Sequence, residues 1–247
     1  LTTKLVNFLS WDSDFFGKRI ASVITHKFDP DTYSQIEDWC KTESIDCIYV
    51  LAGSHHMPTI RILEDNRFRF VDIRSMFVYN KDITSQEIVL PPHITLRESV
   101  ATDITALIEV AESAYVQSRF YADEYFDKRR VSQMYGIWLT KSINQELADY
   151  TVIAEVNQIP VGYVTCSINR NTRIGQIGLV GVAPSARGMQ LAQFMINHVM
   201  RWFHSREVST IQVVTQGRNI SAQRLYQRCG FLLESQKYWY HKWFTKP

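Results

Sequence analysis

The residues best suited to chemistry lie in the second half of the chain. The apolar run Gln176-Ile177-Gly178-Leu179-Val180-Gly181-Val182 passes through Ala183-Pro184-Ser185-Ala186-Arg187-Gly188-Met189-Gln190 into Leu191-Ala192, where an apolar-periodic segment begins. That order describes a strand, a tight turn and a helix N-terminus. Such a terminus offers several backbone N–H groups without intrahelical acceptors at the positive end of the helix dipole, and so suits a phosphate. An ordinary strand-turn-helix connection without a ligand is the plainer alternative. A second segment, Ser118 to Asp127, mixes Arg119 with aromatics and acids. Arg119 can pair a phosphate, and Phe120 or Tyr121 can stack on a base or sugar face. A surface loop with its aromatics turned into the core would have the same composition. Tyr226 stands one helical turn after Ala222 on an apolar face, where a core tyrosine would also stand. Cys40, Cys47, Cys166 and Cys229 show no C-x-x-C pair and no histidine at zinc spacing. Reduced thiols and no metal are expected.

The elements that must position these groups follow from periodicity. Leu191, Phe194, Met195, His198, Val199, Trp202 and Phe203 recur at helical spacing and define one apolar face. Strands are expected at Cys47–Ala52, Phe68–Tyr79, Tyr150–Val156, Val161–Ile168, Ile174–Val182, Thr210–Thr215 and Lys237–Trp243, and helices at Pro58–Asn66, Asp103–Gln117 and Ser221–Arg228. Ser118 to Trp138 reads only as a polar-aromatic region. Gly230 can supply a left-handed helix stop. Strands alternating with helices argue for a layered α/β fold. Val89-Leu90-Pro91-Pro92-His93, after the polar stretch Asn80 to Glu87, is the best boundary, because adjacent prolines lack amide donors and push the preceding residue out of helix. It divides the chain into residues 1–93 and 94–247. Placing Arg61-Ile62-Leu63 over Arg224-Leu225-Tyr226 brings Phe68 over Phe231 and suggests a degenerate internal duplication. Any helix-turn-strand unit gives such matches, so chance similarity stays open.

Two motifs carry a resemblance. Arg187, Gly188, Leu191 and Ala192 stand where the acetyl-CoA motif of GNAT N-acetyltransferases, Arg/Gln-x-x-Gly-x-Gly/Ala, has its usual residues, with Gln190 in a place normally held by glycine. Asn219, Ala222, Tyr226, Gly230 and Phe231 match the other hallmark of that family, Asn-x-x-Ala-x-x-x-Tyr-x-x-x-Gly-Phe, at every fixed position. The resemblance implies a mixed, splayed sheet flanked by helices, an acetyl-CoA co-substrate and transfer to an amine. It implies that Arg187, Gly188, Met189, Gln190, Leu191 and Ala192 bind the pyrophosphate, that Val180 and Val182 pair with the pantetheine arm, that Asn219 bonds that arm, and that Tyr226 lies near the thioester sulfur. A phenol, with a pKa near 10, can protonate a thiolate of comparable basicity, so Tyr226 is the expected general acid. The earlier copy carries Leu63 in its place and no arginine-glycine loop, and is expected to be inactive.

The chain as a whole is similar to dTDP-fucosamine (dTDP-4-amino-4,6-dideoxygalactose) N-acetyltransferases of bacterial surface-glycan synthesis. The similarity rests on Ser10-Trp11-Asp12-Ser13-Asp14-Phe15-Phe16-Gly17, on Val213 to Asn219 and on Glu234 to Tyr240. It implies a half-GNAT-like N-terminal domain, an acidic base after the first helix-turn-strand, where Asp72 stands, and substrate contacts from Arg119, Phe120 and Tyr121. Water alone or another residue remains open as the base. The acceptor is then a nucleotide-linked amino sugar; another amine (amino acid, polyamine or antibiotic), or a CoA-binding module without turnover, are the alternatives.

Bulk properties bound the rest. The 247 residues, 45% hydrophobic, suffice for one large core or two smaller ones. A net charge of +2, without long basic runs, gives no stripe for nucleic acid. With no run of about 20 apolar residues and no leader-like N-terminus, no membrane contact and a cytoplasmic location are expected. A homodimer is kept open.

Overall fold

The computed structural model describes residues 4–80 and 89–244, so most of the polar stretch before the Pro91-Pro92 boundary lies outside the described residues. The elements run β1 (Val6–Phe8), α1 (Ser10–Phe16), β2 (Ile20–Val23), α2 (Pro30–Thr42), β3 (Cys47–Gly53), α3 (Met57–Asp65), β4 (Arg69–Tyr79), β5 (Ile94–Glu98), α4 (Asp103–Ala114), α5 (Arg119–Ala122), α6 (Lys128–Ile143), β6 (Tyr150–Val156), β7 (Ile159–Ile168), β8 (Ile174–Val182), α7 (Leu191–His204), β9 (Thr210–Gln216), α8 (Ile220–Arg228) and β10 (Leu232–Trp243). The expected α/β architecture is present. The region read only as polar-aromatic contains the long helix α6. Its Val131, Met134, Tyr135, Leu139, Ser142 and Ile143 are buried at helical spacing, and Asp127 caps it by accepting from the Arg130 amide.

All strands join one sheet, in the order β1-β2-β3-β10-β4-β9-β8-β7-β6-β5. Helices α2 and α3, with α7 and α8, cover one face; α1, α4, α5 and α6 cover the other. The two sequence-defined units are not separate sheets. Strand β4, from the first, lies between β9 and β10 of the second, and β10 lies between β3 and β4 of the first.

The register supports the internal duplication. Arg74 lies opposite Lys237, its own counterpart in the alignment that places Arg61 over Arg224. Arg74 also faces Gln216 on β9, and Lys237 faces Gly53 on β3, again counterparts. Cys47 and Thr210, counterparts at the same spacing, each pair in parallel with the strand before the preceding helix, β2 and β8. Even the bulges correspond: Val71 is the extra residue in β4 and Glu234 in β10. A local helix-turn-strand coincidence would not carry over into long-range pairing.

Candidate functional site

The site begins where two parallel strands part. β8 pairs with β9 only from Ile174–Thr210 to Ile177–Val213. Beyond that, β8 stays with β7 as far as Val182, opposite Gly162, while β9 keeps its pairing with β4 as far as Gln216, opposite Arg74. Val180 lies opposite Val164, so Val180 and Val182 both line the diverging part of β8. Two glycines shape this stretch. A Cβ on Gly181 would sit 2.4 Å from the Tyr163 ring, and one on Gly178 would sit 2.7 Å from Thr165 Oγ1. Tyr115 donates its hydroxyl hydrogen to the Val180 carbonyl at 3.1 Å and lies 3.1 Å from the Tyr163 hydroxyl.

At the end of β8 the chain makes a single 3-10 turn, Pro184–Ala186, and enters α7 through Gly188 (φ 84°) and Gln190 (φ 59°, ψ 13°). The left-handed backbone at Gln190 explains why glycine suits this place. No side chain caps α7, and among the described residues the amides of Gly188, Met189, Gln190, Leu191, Ala192 and Gln193 have no acceptor. Arg187 is exposed beside them. These unsatisfied donors fit a diphosphate.

On the same face, α8 starts at Asn219, whose Oδ1 accepts from the Ala222 amide at 3.1 Å and from the Ser221 hydroxyl at 2.9 Å. Its side-chain N–H groups stay available for another partner. Tyr226 is 4% exposed, between the rings of Phe77 and Phe231. Burial pushes its phenol well above the ordinary value, so it holds its proton. The phenol is close enough to that of Tyr115 to act on it electrostatically.

Asp72 lies on the opposite face of β4, the strand next to β9, just past the end of the β4–β9 pairing. The Val71 bulge precedes it, Trp239 of β10 stands opposite, and only 3% of it is exposed. Bulges commonly re-aim a side chain. Burial pushes its carboxyl up to about 6, against the opposing pull of the Ile73 amide at 2.8 Å, of Arg218 at 3.8 Å and of Arg119. At neutral pH it is an ionised carboxylate more basic than an ordinary one.

Arg119 is held in place. Its guanidinium carbon lies 4.1 to 4.3 Å from the ring centroids of Phe120, Tyr49 and Trp239. Its Nη1 donates to His241 Nε2 at 2.7 Å. A guanidinium cannot accept, so the His241 proton sits on Nδ1 and is donated to Asp123 at 2.7 Å. Burial brings His241 down to about 4, despite Asp123, and keeps it neutral. Asp123 also accepts from Trp243 Nε1 at 2.9 Å. No carboxylate pairs with Arg119 among the described residues.

The structure thus places Val180 and Val182 on the diverging part of β8, residues 187–192 at the turn that follows it, and Asn219 and Tyr226 at the start and on the buried side of α8, while Asp72 stands on β4, one strand from the gap. Phe120 departs from the expectation of a substrate contact: it is 5% exposed among Tyr49, Phe16 and Phe126, an apolar ring drawn into the core. Tyr121 is half-buried against the same cluster. Sequence reasoning missed Tyr115, Asp123 and His241, which carry no motif and meet only through folding. Asp12, inside the Ser10–Gly17 resemblance, was passed over; burial raises its carboxyl against the attraction of Arg119. Among the described residues no cluster suits a metal ion, and no helix is long and apolar enough to cross a membrane.

Comparison with known proteins points to one family. Residues 112–231 match the model of the Acetyltransferase (GNAT) family. The spore coat polysaccharide biosynthesis protein SpsD of Bacillus subtilis is 26% identical over 62% of this chain and 52% of its own length. The dTDP-fucosamine acetyltransferase of Escherichia coli is 30% identical over 57% of this chain and 60% of its own. The chain thus spans only part of these two relatives. The crystal structure of a GCN5-related N-acetyltransferase from Sphaerobacter thermophilus superposes with a TM-score of 0.70 at 18% identity, covering 98% of this chain and 76% of the other, which shows the shared fold.

Proposed function

Because residues 112–231 match the GNAT acetyltransferase model, we propose that the chain is an acetyltransferase of that family and that it acetylates the amine of a nucleotide-linked amino sugar, most simply a dTDP-4-amino-4,6-dideoxy sugar. Acetyl-CoA supplies the activated acetyl thioester. The unsatisfied amides of residues 188–193 take its pyrophosphate, with Arg187 beside them, and the unpaired edge of β8 at Val180 and Val182, with the Asn219 amide, lines the path of its arm. Asp72 accepts the proton that the amine loses as the N–C bond forms, directly or through one water. Tyr226 gives its hydroxyl proton to the sulfur as the C–S bond breaks. The overall change is amine plus thioester to amide plus thiol; Asp72 then gives up its proton to solvent and Tyr226, whose buried phenolate is disfavoured, takes one back, so one proton passes in net from amine to sulfur.

The observation that carries this reading is the buried carboxylate of Asp72 on β4, one strand from the β8–β9 gap, tuned to about 6. A base at that value is ionised at neutral pH and still basic enough to assist an amine. The glycan-linked names of two relatives support a sugar acceptor. The test is thiol release from acetyl-CoA with dTDP- and UDP-linked amino sugars beside amino acids, polyamines and aminoglycosides. Preference for the nucleotide-linked sugars is expected; turnover confined to another amine would overturn the acceptor assignment.

A further inference from the structure

We propose that Arg74 and Lys237 form an anion subsite that takes a phosphate or diphosphate carried by the acceptor. The proposal rests on the reading that the acceptor amine is presented at Asp72. The two cations stand directly opposite each other on β4 and β10, on the face that carries Asp72 and Trp239, because successive side chains alternate along a strand. Like charges in such a cross-strand pair destabilise the sheet. Both side chains are half-buried, and among the described residues neither has an ion-pair or hydrogen-bond partner. Their other cross-strand neighbours are Gln216 and Gly53, a neutral amide and no side chain at all.

Other cations are accounted for. Arg97 meets Asp103 and Glu155, Lys242 meets Glu37, and Arg119 has its aromatics and His241. Arg74 and Lys237 have nothing but each other and His26, whose ring is bonded to the Leu51 carbonyl at 2.8 Å. Burial lowers the pKa of Arg74, of Lys237 and of His26; Lys237 adds to the effect on His26, and Arg74 to that on both Lys237 and His26. A cation pair kept half-buried without a counter-charge is a site waiting for an anion, and two cations suit a doubly charged group better than a carboxylate. Its distance from the base fits the acceptor chemistry. Asp72 and Arg74 are two residues apart on one strand face, about 7 Å, comparable to the width of a hexose ring between an amine and a phosphate-bearing anomeric oxygen.

Isothermal titration with inorganic pyrophosphate and with dTDP, on protein saturated with CoA so that the α7 site is filled, tests the subsite. Both probes should bind the wild type. Arg74→Gln and Lys237→Gln should each weaken dTDP about tenfold, the scale of one charge-assisted hydrogen bond, and the double variant more, with affinity for acetyl-CoA unchanged. Lys237→Arg, which keeps the charge, should retain binding. The ligand-free glutamine variants should melt no lower than the wild type, because a repulsion is removed, and dTDP should raise the melting temperature of the wild type more than that of the glutamine variants. Wild-type protein that binds neither probe, a double variant that binds as well as wild type, or loss of binding in Lys237→Arg as well would overturn the proposal. If dTDP binding needs both cations but nucleotide-linked amino sugars are not acetylated, the acceptor reading fails and the subsite stands. Transfer to such sugars undiminished in the double variant would do the reverse.

Discussion

The unit β2-α2-β3-α3-β4 and the unit β8-α7-β9-α8-β10 share one pairing frame but differ in what they leave unsatisfied. In the later unit the N-terminus of α7 has no cap and its amides are free. In the earlier unit Asp29 caps α2 by accepting from the Thr32 amide, and Pro30 removes one donor outright. A carboxylate already fills the place of a phosphate. The gap beside β3 is closed as well: Gly53 donates to the His26 carbonyl at 3.0 Å, and the His26 ring bonds the Leu51 carbonyl. Leu63, fully buried, stands where the later unit has Tyr226. The polar groups of the earlier unit have internal partners, as suits a supporting role. What the earlier unit still contributes is β4, and with it Asp72.

The largest test of this division of labour is to express residues 94–247 alone. Without β4, strands β9 and β10 lose the neighbour between them, and β10 also loses β3, leaving open edges. The fragment should show no cooperative thermal transition, whereas the full chain should. A folded, active fragment would mean that the later unit is self-sufficient.

Next in size is Tyr226→Phe, which keeps the ring between Phe77 and Phe231. Turnover should fall about 10²- to 10⁴-fold, while KM for acetyl-CoA and the melting temperature stay nearly constant. Since burial holds the phenol well above its ordinary value, wild-type turnover should show no alkaline decline attributable to Tyr226 near pH 10. Near wild-type turnover in the variant would make Tyr226 a packing residue like Leu63.

Asp72→Asn should lower kcat/KM by about 10²-fold and remove an acidic limb centred near pH 6. It should also change stability in a pH-dependent way. The carboxyl titrates near 6 when folded and near its ordinary 3.8 when unfolded, so the folded state binds more protons between these values and stability falls as pH rises through them. The Asn variant should therefore melt higher than wild type at pH 8 and about equally at pH 4. An unchanged pH-rate profile would return Asp72 to the scaffold.

The smallest effects sharpen the contrast between the two helix N-termini. Asp29→Ala should slightly lower the melting temperature, as loss of a cap does, without affecting acetyl-CoA binding. Gln190→Gly should leave acetyl-CoA affinity equal or tighter by calorimetry, because glycine adopts the left-handed backbone without strain. A marked loss of affinity would assign Gln190 a contact of its own.

Much of the frame is legible in the amino-acid sequence because its signals are local. The apolar face of α7 comes from helical spacing, Ile174–Val182 is a strand as expected, and Gly230 stops α8 with a φ of 87°. The turn into α7 and the Asn219–Phe231 segment are each continuous stretches whose chemistry follows from order alone. Helix α6 was legible in principle, through its periodic Val131, Met134, Tyr135 and Leu139, but its aromatic neighbours obscured the pattern. Only the tertiary structure decided that β4 enters between β9 and β10, that Asp72 is buried beside Trp239, that Asp123 and His241 hold Arg119, and that Arg74 faces Lys237. These relations join residues more than 100 positions apart, where no periodicity or motif links the partners. Which strands meet, and in which register, is set by the combined burial of every face in the sheet, and the acidity of Asp72 and His241 follows from that burial rather than from their neighbours in sequence.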